Sequence, residues 1–151
     1  MLALGVCVAL LAGCGGGDSS GTEDAALPIA GDWTGTLEQK GLAPFRIAVQ
    51  IEASGTGRVA YTGIECGGVW DIHDILSSLP PQYEITERIN QGAGGECKGS
   101  GAVSLQPESS SHDSRLRYEF TGGGVTSRGL LHRTDSAGLK PVFDEAGVTP
   151  P

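Results

Sequence analysis

The chain has 151 residues, a formal charge of −8, 38% hydrophobic residues and 25 glycines. That length suits one domain with a single core. No stretch is basic enough for a nucleic-acid interface or for electrostatic attachment to anionic lipid.

The first element is an apolar run from Leu2 to Leu11. At ~10 residues it is too short for a stable transmembrane helix but suits a signal-peptide h-region. It leads into Leu11-Ala12-Gly13-Cys14, which resembles a lipobox, the cleavage site of bacterial lipoprotein signal peptides. The resemblance implies export, acylation of the Cys14 sulfur (palmitate being the typical chain) and cleavage that leaves Cys14 as the mature N-terminus. Two acyl chains, at ~0.8 kcal/mol for each buried methylene, anchor durably where one does not. Residues 1–13 are then a signal peptide, and Cys7 is discarded with it. Met1 to Val6 carries no Lys or Arg, so either the true start lies upstream or the signal is a weak one.

Residues 14–28 read as a lipidated flexible linker. Gly15 to Asp24 is rich in Gly and Ser, acidic, and without an apolar residue to pack. The domain proper spans residues 29–133. Phe45, Ile47, Val49 and Ile51 alternate with Arg46, Ala48, Gln50 and Glu52. Tyr83, Ile85 and Ile89 oppose Glu84, Thr86 and Arg88, and Leu116, Tyr118 and Phe120 alternate with Arg115, Arg117 and Glu119. That period of two marks strands with one buried face. Turn residues punctuate the pattern, from Ser54 to Gly57, Ser77 to Pro81, Gly92 to Gly95 and Gly122 to Gly124. The predicted strands are 32–39, 44–53, 57–64, 67–76, 82–91, 97–106, 114–121 and 125–133, and no segment shows a helical period.

Short connections make sequence neighbours pair as hairpins. An all-β chain of this kind closes into a single eight-stranded antiparallel up-and-down barrel. A β-sandwich is the alternative; it normally needs a long crossover, and the spacing offers none. The expected inward face is Trp33, Leu37, Phe45, Ile47, Val49, Ile51, Tyr61, Ile72, Tyr83, Ile85, Ile89, Val103, Leu105, Tyr118 and Phe120. Gly35, Gly101 and Gly129 leave some space among them. So many bulky groups predict a mostly filled interior with a shallow mouth. Residues 134–151, with Pro141, Pro150 and Pro151, read as a disordered tail.

Gly31-Asp32-Trp33 opens the first strand and Arg133 closes the last. This resembles lipocalins and related calycin barrels, in which a Gly-x-Trp plugs the barrel floor beneath an Arg from the final strand. The resemblance implies that Trp33 and Arg133 form a barrel-closing pair, by cation–π contact and guanidinium bonds to strand-end carbonyls. The domain also resembles a small family of actinobacterial extracytoplasmic domains. These occur as free lipoproteins and at the C-terminus of some membrane serine/threonine kinases. Gly31 to Thr36, Val59-Ala60-Tyr61, Cys66-Gly67-Gly68, Glu87-Arg88-Ile89, Cys97, Leu116-Arg117-Tyr118 and Gly129-Leu130-Leu131 carry the likeness. No kinase catalytic segment is present, and the family transfers no activity.

In the oxidising compartment of an exported protein, Cys66 and Cys97 are expected to form a disulfide, with free thiols or a metal pair as alternatives. Both lie at one end of the proposed barrel, and the bridge contributes ~3.6 kcal/mol on the chain-entropy model. With His73, His112 and His132 scattered, no zinc-site spacing appears, and no metal or cofactor is expected. Ser111, His112 and Asp113 are consecutive and cannot converge on one substrate atom. Asp71 and His73 share what reads as a solvated outer face, and Gly92 to Gly95 lacks the features of a phosphate loop.

Glu87 shares the inward face with Ile85 and Ile89. A buried carboxylate must be paired, hydrogen-bonded or protonated. The favoured reading is an ion pair with Arg133; a ligand contact and a register slip are the alternatives. The expected protein is a non-enzymatic lipoprotein, lipid-anchored on the extracytoplasmic side of the cell membrane. It is a binding module for a small ligand or cell-envelope component or, alternatively, a structural or protein-interaction protein with a filled barrel.

Overall fold

A computed structural model describes residues 26–92, 97, 99–109 and 114–149. The predicted signal peptide, Cys14 and most of the linker lie outside the described residues. Alternation of apolar and polar side chains yields eight strands: β1 (Gly31–Gln39), β2 (Phe45–Ile51), β3 (Thr56–Thr62), β4 (Cys66–Leu76), β5 (Gln82–Gln91), β6 (Ser100–Pro107), β7 (Arg115–Gly122) and β8 (Val125–Thr134). Each pairs antiparallel with its sequence neighbours, and β1 pairs with β8 to close the barrel. Closure leaves no sheet edge running the length of the molecule, which a sandwich would.

The inward residues of every wall meet in one core, from Ile29 and Trp33 at the floor to Phe45, Tyr61 and Phe120 near the mouth. Two expected members, Ile72 and Ile89, are only half-buried, while Trp70, absent from the expected face, is buried inside. The inner glycines do not leave space. A Cβ on Gly35 or Gly129 would lie 2.3 Å from a carbonyl oxygen of the adjoining strand, and one on Gly101 would lie 2.3 Å from the Phe120 ring. These positions let neighbouring groups close in, so their volume is already used.

The tail corrects a further expectation. Instead of a disordered segment, residues beyond the barrel form α1 (Ser136–Glu145), which begins at an Asp135 N-cap that accepts from the Gly138 amide at 2.9 Å. Leu139, Val142, Phe143 and Ala146 make a stripe at helical spacing, and with Val148 they bury Ala48 and Ala60 on the outer wall. The seat exists because Ala48, Ala60 and Gly67 are register partners in a row across β2, β3 and β4. Three small outward residues make a flat patch on which a helix can lie close. A Cβ on Gly67 would meet the Val148 side chain at 2.4 Å.

Candidate functional site

Beneath the mouth the barrel holds a polar cluster in an otherwise apolar interior. Register sets it: Glu87 on β5 faces Trp70 on β4 and Gly101 on β6. Tyr61 from β3 and Tyr118 from β7 reach inward to the same height. The Trp70 indole Nε1 donates to Glu87 Oε2 at 2.8 Å, and the Tyr61 hydroxyl donates a short bond to the same oxygen. With the Tyr61 proton committed, the Tyr118 hydroxyl, 3.1 Å away, donates to Tyr61. Trp70 stacks on Tyr118 with ring centres 6.2 Å apart, and Phe45 meets Tyr61 edge-on.

The electrostatics follow from burial. Glu87 is 3% exposed. Desolvation raises its pKa above the ordinary carboxylate value, and the bonds from Tyr61 and Trp70 only partly oppose this. Burial, reinforced by the nearby Glu87 carboxylate, pushes the Tyr61 and Tyr118 hydroxyls well above the usual phenol range, so both remain neutral. One phenol and an indole N–H thus donate to the carboxyl group, with the second phenol behind the first and no counter-ion.

The predicted Glu87–Arg133 ion pair is not formed. Arg133 lies at the floor, as the register partner of Trp33, far along the barrel axis from Glu87. Its Cζ sits 4.4 Å from the Trp33 ring centre and its Nη1 donates to the Ala30 carbonyl at 2.9 Å. The Trp33 indole in turn donates to the Ile29 carbonyl at 2.9 Å. Arg133 therefore clamps the strand that enters the barrel, and the buried carboxylate relies on neutral donors.

At the mouth, Cys66 and Cys97 are joined, with Cα atoms 6.5 Å apart. The disulfide ties the start of β4 to the segment leading into β6. Leu37, Phe45, Ile64, Ile89, Phe120 and Val125 surround a cavity of about 30 Å³ that reaches Glu87, Tyr61 and Tyr118. That is room for one or two water molecules. Larger hollows lie outside, such as one of about 590 Å³ over Thr34, Thr36, Arg46, Arg128 and His132, and they are open grooves along the strand wall.

Asp71 and His73 are not drawn into the site; both are exposed on the outer wall. Ser111, His112, Asp113 and most of the Gly92 to Gly95 turn lie outside the described residues. Among the described residues no group of three or more His, Cys, Asp or Glu side chains gathers as a metal site. The signal for the true partners of Glu87 was present: Tyr61 and Tyr118 read as inward, and a buried phenol usually finds a hydrogen-bond partner.

Fold and site define a class: a closed eight-stranded antiparallel barrel, filled by side chains, with a buried carboxyl beneath a disulfide-tied mouth. No protein-family model, curated protein or solved structure matches the chain.

Proposed function

We propose that this chain is an exported lipoprotein, acylated at Cys14 and held on the extracytoplasmic face of the cell membrane. Its barrel is a non-catalytic module that works through its outer surface and rim on an envelope protein or other envelope component. The observation that carries the reading is the cavity of about 30 Å³ beneath the mouth. Sites for drug-sized ligands run to ~300–1,000 Å³, so an interior this full favours surface contacts over the carriage of a small molecule. The Leu11-Ala12-Gly13-Cys14 sequence supports the anchor. The Cys66–Cys97 bridge suits an oxidising compartment.

Native mass spectrometry of the full-length protein extracted from its membrane tests both parts. A mass that includes acyl groups on Cys14, with no further molecule released on denaturation, is the expected result. Near-stoichiometric release of an organic molecule would overturn the filled-barrel reading and make the protein a carrier. An unacylated chain would overturn the anchor.

A further inference from the structure

Among the described residues, large apolar side chains face water at one place, the hairpin joining β4 to β5. Ile75 is 50% exposed, Leu76 42% and Leu79 98%. The hairpin overhangs the barrel floor. β3 stops pairing with β4 at Thr56↔Asp71, whereas β4 continues against β5 to Leu76↔Gln82. Its tip is held in place: Ser78 Oγ donates to the Pro80 carbonyl at 2.8 Å, and Gln106 Nε2 of β6 donates to the same oxygen at 3.3 Å. An outstretched Leu79 on a fastened tip has no apolar neighbour to cover it in water.

The N-terminal segment arrives at this same end. Leu27 lines a surface hollow of about 320 Å³ together with Ile72 and Ile75, and β1 starts at the floor with Gly31. Residues 14–25, fully extended, reach at most ~40 Å. An anchor at Cys14 therefore keeps the floor, with its apolar tip, near the lipid.

We propose that Ile75, Leu76 and Leu79 insert into the headgroup–acyl boundary of the bilayer that holds the anchor, standing the barrel on its floor with its mouth outward. This rests on the lipoprotein reading above. No Lys or Arg lies between residues 71 and 86, and Asp71, Asp74 and Glu84 flank the tip. Charge on the lipid cannot drive the contact, so apolar burial must. An anchor raises the local concentration of lipid at the tip, and a contact too weak to recruit a free protein then suffices.

The test uses the full-length acylated protein in phosphatidylcholine vesicles with brominated acyl chains, carrying Leu79→Trp as reporter. Trp33 and Trp70 are buried in the barrel and give a steady background. The reporter emission should shift to the blue and fall about twofold against unbrominated vesicles, equally at low and high salt. Lys40→Trp, on the exposed β1–β2 turn at the mouth end, should be unaffected. An unquenched reporter at position 79 on chains that float with the vesicles overturns the insertion and leaves the anchor standing. Quenching at both positions overturns the upright orientation. Chains that carry no acyl mass and do not float overturn the anchor and the insertion together.

Discussion

Replacing Phe143 by Ala tests the docked helix directly. Phe143 and Val142 are fully buried and Leu139 nearly so, against Ala48 and Ala60 on the outer wall of β2 and β3. Truncating a buried Phe to Ala costs ~3–5 kcal/mol, depending on how far the surroundings collapse into the space. The alanines belong to a closed sheet and cannot move outward. The helix lies at the surface and can settle, which selects the low end, about 3 kcal/mol. For a domain of this size that corresponds to a fall of ~9–15 °C in Tm. Equilibrium urea unfolding followed by the emission of Trp33 and Trp70, both inside the barrel, reads the barrel and whatever is coupled to it. The control is Lys140→Ala, which removes only an exposed pair with Asp144 and should cost no more than ~0.5 kcal/mol. The reasoning fails if Phe143→Ala stays within about 0.5 kcal/mol of wild type while the amides of residues 139, 140 and 142–146 exchange at free-chain rates.

Arg133→Ala should lower stability by about 1.5–2 kcal/mol, since it removes an exposed cation–π contact and a hydrogen bond to the Ala30 carbonyl. Arg133→Lys should recover less than half of this in the same urea assay, because the planar fork is lost. Glu87 has its pKa raised, chiefly by burial, so the folded state holds this proton more tightly than the unfolded chain. Its contribution to stability is full below the ordinary Glu range and is lost as pH rises through the raised value. Wild-type stability relative to Glu87→Gln should therefore be greatest in acid and decline toward neutral pH; urea midpoints at a series of pH values that show the opposite slope would refute the assignment. Opening the Cys66–Cys97 bridge, which spans 31 residues, should cost about 3.6 kcal/mol on the chain-entropy model, read as the drop in urea midpoint of a Cys66→Ser, Cys97→Ser double variant.

The strands were legible because each barrel wall separates an apolar interior from water, and that difference writes a period of two into the chain. The helix was harder to see. Leu139, Val142, Phe143 and Ala146 have the right spacing, but Gly138 and Pro141 lie within the same turns and are the two poorest helix formers. What stabilises α1 is the row of Ala48, Ala60 and Gly67 beneath it, and that row appears only once the register of β2, β3 and β4 is known. The same limit explains Glu87. Alternation gave its inward orientation, but opposite charge suggested Arg133 as partner without regard to height in the barrel. Cross-strand register places Glu87 level with Trp70 and Gly101, and Arg133 level with Trp33.

A carboxyl group without a cation inside a filled barrel still needs a reason to be there, and the strand geometry supplies one. Glu87 joins β5 to β4 through Trp70 and to β3 through Tyr61, and Tyr118 extends the chain of bonds to β7. A slip of β5 by one residue would turn Glu87 outward and bring Thr86 or Arg88 inward. The Trp70 and Tyr61 donors would then be buried without partners, at about 1–3 kcal/mol each. Apolar residues alone discriminate registers less sharply, because Ile85 and Ile89 pack acceptably at several heights. On this argument the cluster selects one register among near-equivalent ones, a use that requires no ligand. An interior committed to specifying its own closure leaves the outer wall and the rim as the surfaces available to a protein partner.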